Sequence, residues 1–425
     1  MSVTELTVGP GGDNRAIQAA IDEAAAQGGG KVVIPPGTYR MDDSLHLRSG
    51  VHVEGAGEKT VLRKAPEVCS ALSADLGYGH FDVSLAEADK FRVGMGVLVA
   101  DDRAGGFYTT VATLTWRDGD RFGINCFLNH DYSRGANGYV VSAFPVISGS
   151  YVENASVSKL AVDGNRAQNP YTINGCRGGG VFLIQTRGVA LRGLHVSKVN
   201  GDGISFQQGV DTLLEDCTCE DNAGLGLHPG SGSVKPVIRR CTCRRNGADG
   251  IFYCLRVSFS LCEGCVVEDN GRHGISIGGR DTDHLIRGNT IRGNGACGVF
   301  FREAERVMAG NRCQVEANEI AGNCQSAGEA EVHVAGCVAD VHILGNRIRP
   351  ACPRVAAIKV AAGTEGVVIH GNEIEAERSI VVEGEREAVS FGAPSAPLAI
   401  GPANAPPDAS RHLEGLREGG QDMRT

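Results

Sequence analysis

Residues 226–249 read GLHPGSGSVKPVIRRCTCRRNGAD, residues 250–273 read GIFYCLRVSFSLCEGCVVEDNGRH, and residues 274–297 read GISIGGRDTDHLIRGNTIRGNGAC. Each stretch opens on a Gly followed by an apolar residue. Gly203, Gly226, Gly250, Gly274 and Gly298 step by 23, 24, 24 and 24 residues. Asn222, Asn246, Asn270 and Asn294 keep the same period, and so do Cys217, Cys241, Cys265 and Asn289. A fixed period of this length is the mark of stacked supersecondary units. Leucine-rich repeats share the length, but their Leu spacing is absent.

Charge follows the same period. Glu215, Arg239, Glu263 and Arg287 alternate in sign down one column, and Glu220, Arg244, Glu268 and Arg292 do so down another. Opposite charges one strand apart attract, while like charges there would repel. The repeats therefore stack as coils about 4.8 Å apart. The expected fold is all-β: a parallel β-helix, right-handed as strand crossovers are. The Asn column predicts a left-handed corner with a stacked amide ladder.

Outward from this core, Asp13 to Gln27 predicts a helix with Ile17, Ala20, Ile21, Ala24 and Ala25 on one face. Asp13 or Asn14 caps it, and Gly28–Gly30 end it. Such a helix covers the open end of a solenoid. Residues 1–65 form this cap and the first coils. Residues 66–148 break the period and predict an inserted β-rich subdomain, which carries the single Trp116. The coils resume over 149–390, with Asn318, Asn346 and Asn372 marking the later ones. Residues 391–425 are rich in Ala, Pro and Gly and predict a flexible tail.

The composition agrees. The chain has 425 residues, 60 of them Gly, and only 5% aromatic, as short strands with tight corners require. Its net charge of −9 argues against nucleic-acid or membrane-surface binding, which needs a basic face. The N-terminus MSVTELTVGPGG has neither the basic nor the apolar region of a signal peptide. The 15 Cys, several at the repeat period, read as reduced buried thiols. Both points lead to the expectation of a cytoplasmic protein.

With the residue after each Gly inside, its neighbours face outward. The column before each Gly reads Asp202, Leu225, Asp249, His273, Cys297. The column two after it reads Ser205, His228, Phe252, Ser276, Phe300, and two places on stand Gln207, Gly230, Cys254, Gly278 and Arg302. Two Asp, two His and an Arg thus share one face where other columns hold ion pairs, which makes this the candidate site. Asp202 and Asp249 lie two coils apart, on the order of 10 Å at Cα. Carboxyls separated by about 6.5–9.5 Å suit an inverting glycosidase. Arg302 can hold a substrate carboxylate in a bidentate manner.

The run from Asp13 to Ile21, followed by Gly29 to Tyr39 (GGKVVIPPGTY), resembles the pectate lyase superfamily. The segments Asn200 to Ile204 and His273 to Gly278 look like polygalacturonase motifs. That resemblance implies Asp202 as a catalytic carboxylate supported by His273. Leu225 and Gly226 stand where that family pairs a second Asp, and Phe301-Arg302-Glu303 stands near its Arg-x-Lys. His273-Gly274-Ile275 with Asp281, Asp283 and Arg302 also looks like the alginate epimerase and lyase style of site. It implies a His base, with Arg302 neutralising the uronate carboxylate.

The expectation is a carbohydrate-active enzyme that cleaves a glycosidic bond of an oligo- or polysaccharide by general acid–base catalysis. Asp202 and Asp249 form the carboxylate pair, His228 and His273 assist, and Arg302 anchors substrate. Ser205, Gln207, Phe252, Ser276 and Glu303 line the binding face. One alternative is a lyase or uronate C5-epimerase with His228 or His273 as base. Another is a non-catalytic, tailspike-like glycan binder. No cofactor is required; Asp281 and Asp283 are a candidate Ca²⁺ pair. The architecture is compatible with a homotrimer.

Overall fold

A computed structural model of the chain describes residues 5–9, 11–172, 177 and 179–410. Each coil contributes three short strands. In one coil these are Ile204–Gln207, Leu213–Glu215 and Thr218–Glu220; in the next, Leu227–Gly230, Val237–Arg239 and Thr242–Arg244. Successive coils pair in parallel, placing Ile204 beside Leu227, Leu214 beside Ile238 and Cys219 beside Cys243. The chain is thus a parallel β-solenoid. Its core is filled by the inward residue of each strand, including Ile204, Leu227, Ile251, Ile275 and Val299, all fully buried. Eleven strands, from Leu45–His46 to Ile380–Val382, form the sheet that carries the candidate site.

The charge columns pair as their alternation requires. Glu263 accepts from Arg239 at 3.3 Å and from Arg287 at 2.6 Å, and Arg244 meets Glu220 at 2.6 Å. The asparagine ladder is continuous. Asn222, Asn246 and Asn270 each donate a side-chain N–H to the next amide oxygen, at 3.0, 2.9 and 2.9 Å, and Asn294 donates to Asn323 at 2.7 Å. Asn323 donates in turn to Glu331 at 2.6 Å. Burial raises the Glu331 pKa to about 7, against the hydrogen bonds from Asn323. Where the cysteine column ends, Asn289 starts a second ladder through Asn318, Asn346 and Asn372.

The corner differs from expectation in one respect. The left-handed residue is the one before each Asn: Asp221, Arg245, Asp269 and Gly293 have φ between 53° and 65°. That residue makes the turn, which leaves the Asn side chain free to point inward and stack.

Helix α1 (Asn14–Ala26) closes the first coil. Asp13 caps it by accepting from the N–H groups of Arg15 and Ala16 at 3.0 and 3.2 Å, and Ile17, Ile21 and Ala24 are buried. Between Lys64 and Ile147 the chain leaves the solenoid and forms a six-stranded antiparallel sheet, from Cys69–Ala71 to Tyr139–Val141. This sheet has its own core around Val83, Phe122, Tyr132 and Val140.

Residues 391–410 hold little regular structure but are seated on the coils. Ile400 is buried, Gly401 donates its N–H to the Asp283 carbonyl at 2.9 Å, and Ala409 packs on Val210 and Val234. Residues 411–425, the rest of the expected tail, lie outside the described residues.

Substituting Asn270 by Ala strands a buried amide on each side. The expected cost is about 1–3 kcal/mol, read as a lower midpoint in chemical unfolding. An unchanged midpoint would mean that the ladder contributes nothing to stability.

Candidate functional site

Asp202 lies at the turn before strand Ile204–Gln207, and His228 is the second residue of Leu227–Gly230, one coil on. The Asp202 carboxylate accepts from the Leu225 N–H at 2.9 Å and is 2.8 Å from His228 Nδ1. His228 is 5% exposed, and its Nε2 has no hydrogen-bond partner. Burial opposes the imidazolium, but the Asp202 carboxylate and then the neighbouring Cys254 outweigh it and raise the His228 pKa to about 9. At neutral pH the raised value keeps the His228 ring in its imidazolium form, with the Nδ1 proton directed at Asp202. Phe252 meets the His228 ring edge-on at 5.6 Å.

Two coils further on, Asp249 is fully buried. One of its oxygens accepts from the His273 N–H at 2.8 Å; the other has no partner. Arg272 Nε lies 3.8 Å from this carboxylate, with its side chain 60% exposed. The His273 ring stacks on Phe300 at 4.2 Å and 8°, and its Nδ1 is buried without a partner. The thiol of Cys297 sits against the same ring. Cys324 lowers the Cys297 pKa, burial opposes this, and His273 and His333 add to the lowering.

Arg272 was absent from the sequence reading. The residues two before each repeat Gly are Gly201, Gly224, Ala248, Arg272 and Ala296. A single cation in a column of small residues was the available signal.

Several expected ligand contacts are committed elsewhere. Arg302 donates to Ser276 Oγ at 3.0 Å, to the carbonyls of Tyr253 and Cys254 at 2.7 and 2.9 Å, and to Asp281 at 3.3 Å. It also lies over the Phe252 ring at 4.3 Å. The guanidinium thus braces three coils and is not held out for substrate. Burial lowers its pKa, against the Asp281 charge. Ser205 and Gln207 are fully buried and bond to each other at 3.1 Å, and Ser276 is 1% exposed, so these belong to the wall. Phe252 is half-buried and Glu303 exposed.

The candidate Ca²⁺ pair is likewise spent. Asp281 is fully buried and accepts from the Val257 and Gly278 N–H groups at 2.9 and 3.0 Å. Burial raises its pKa to about 6. Asp283 is held by Arg312 at 2.7 and 2.8 Å. Neither carboxylate is free to bind a cation.

Residues 179–348 match the family model described as right handed beta helix region, and residues 7–80 match that of rhamnogalacturonase A/epimerase, pectate lyase-like. The fold is a right-handed parallel β-helix, and over residues 7–80 the sequence is similar to the pectate-lyase-like model. Among curated proteins, Mannuronan C5-epimerase AlgE6 of Azotobacter vinelandii is 49% identical over 59 residues, which are 12% of this chain and 7% of that protein. The chain therefore spans only a small fraction of that relative. Among solved structures, the A-module of Azotobacter vinelandii Mannuronan C-5 epimerase AlgE4 superposes with a TM-score of 0.54 at 18% identity, over 92% of this chain and 98% of the module. The Dettilon tailspike protein gives a TM-score of 0.54 at 15% identity, over 87% of this chain and 64% of that one. These structural likenesses define the fold.

A raised His pKa stabilises the fold fully below the unfolded value of 6.5, and the gain is lost as pH rises through about 9. Unfolding free energy should fall across that window in the wild type, and Asp202→Asn should abolish the fall. The His228 ring resonances, followed by NMR, should titrate at about pH 9 and move toward or below 6.5 in the variant. Titration near 6.5 in both proteins would contradict the pairing.

Proposed function

We propose that the protein acts on a uronate-containing polysaccharide by proton transfer at the carbon α to the sugar carboxylate. This chemistry is shared by C5-epimerases and β-eliminating lyases. The observation that carries the reading is an exposed cation, Arg272, beside His273 in the turn before strand Ile275–Ile277, two coils from the strand that holds His228. Arg272 meets the uronate carboxylate and stabilises the negative charge that builds there as the α proton leaves. His273 takes that proton. His228, charged through Asp202, supplies one. Two coil spacings, roughly 10 Å, separate the strand of His228 from strand Ile275–Ile277, which His273 precedes, and this leaves room for a sugar ring between the two histidines. In epimerisation the proton from His228 is delivered to the opposite face of the same carbon, while His273 keeps the one removed. In elimination the leaving glycosidic oxygen receives the His228 proton.

The resemblance to mannuronan C5-epimerases, in a short segment of sequence and in overall fold, supports this substrate class. The hydrolase reading fits the site less well. It asks Asp202 and Asp249 to frame a water, yet Asp202 is engaged by His228 and the Leu225 N–H, and Asp249 is fully buried.

The test is a polyuronate panel assayed for reducing ends, ultraviolet absorbance and uronate configuration together. Either a change of configuration without new ends, or absorbance rising in step with ends, is expected. Arg272→Ala should lower kcat/KM by about 100-fold, the scale of a lost charge-stabilising donor. Reducing ends without absorbance would overturn the proposal in favour of hydrolysis.

A further inference from the structure

A second group of reactive side chains lies on the same sheet near α1. His46 closes strand Leu45–His46, and Ser148 lies beside it on strand Ile147–Ser150. His46 Nδ1 is 2.9 Å from Ser148 Oγ, and His46 Nε2 is 3.3 Å from Asp43 Oδ2. Asp43 is held on both oxygens: Ser44 N–H donates to one at 2.7 Å, and Thr113 of the inserted subdomain donates its hydroxyl to the other at 2.7 Å. The Asp43 side chain is 9% exposed and that of His46 is 33% exposed. Ser148 is half-buried. Gln18 of α1 clamps the His46 backbone, accepting from its N–H at 2.8 Å and donating to its carbonyl at 3.0 Å.

A buried carboxylate, an oriented imidazole and an accessible serine in one hydrogen-bonded line are the parts of a nucleophilic triad. The two ring nitrogens have exchanged roles relative to the serine-protease template. The chemistry requires only that one nitrogen take the serine proton while the other is held by the carboxylate. Three strand spacings, roughly 14 Å, separate Ser148 from His228, so this is a separate centre.

We infer that Asp43, His46 and Ser148 form a second catalytic centre that hydrolyses carboxylic esters. Ser148 Oγ attacks the acyl carbon as His46 Nδ1 takes the hydroxyl proton. The bond from the acyl carbon to the alcohol oxygen breaks, and the alcohol leaves with that proton. Water then attacks the acyl-serine, passes a proton through His46 to Ser148 and releases the carboxylic acid. The inference does not depend on uronate chemistry at His228.

The full-length chain is assayed with p-nitrophenyl acetate and, separately, labelled with an alkyl fluorophosphonate and mapped by mass spectrometry. The expected result is one phosphonyl adduct, on Ser148, with fluoride as leaving group. Ser148→Ala should remove the adduct and lower ester turnover on the order of 1000-fold, and Asp43→Asn should slow both reactions by at least about 100-fold. The adduct on the wild-type chain tests the inference even where a variant fails to fold. Equal ester turnover in wild type and Ser148→Ala, or an adduct absent from Ser148, would overturn it and leave the three residues as a network that docks the inserted subdomain.

Discussion

The buried amide of one coil donates to the amide of the next, and this link fixes the same corner in every coil while the step between corners varies from 24 to 29 residues. Asn246 donates to Asn270 at 2.9 Å, and Asn270 to Asn294 at the same distance. A coil one residue longer at that corner would carry its amide out of line and leave two polar groups buried without partners. The same register brings Glu263 between Arg239 and Arg287 and stacks Ile251 on Ile275 on Val299. Extra residues are accommodated away from this corner, as in the 29-residue step from Asn294 to Asn323 and in the subdomain between Lys64 and Ile147.

The register also makes the site. Once the coils are stacked, Asp202 and His228 can meet at 2.8 Å although 26 residues separate them in sequence. Burial would discharge an isolated imidazole; here the carboxylate keeps it charged. Arg302 plays the opposite part. Its guanidinium is held by Tyr253, Cys254, Ser276 and Asp281, and it ties successive coils beneath the open face.

Period and charge alternation were legible because each depends on residue type at a fixed step. The pair Asp202 and His228 was legible as two residues facing outward from adjacent coils. The role of Arg302 was not, because two of its partners are backbone carbonyls nearly fifty residues away, and carbonyls carry no sequence signal. The left-handed corner was placed one residue late for a related reason: the stacking side chain belongs to Asn, but the strained φ belongs to its predecessor. Nothing in the repeat pointed to Asp43, His46 and Ser148. Ser148 stands 102 residues from His46, across an insertion that the period does not reach.

The central step is proton exchange at a sugar carbon bound across His228, His273 and Arg272. The most direct measurement is NMR of a polyuronate incubated with the protein in deuterium oxide. Deuterium is expected at the carbon α to the carboxylate under epimerisation, or loss of that carbon's hydrogen to a double bond under elimination. Glycosidic cleavage with the α hydrogen fully retained would contradict it.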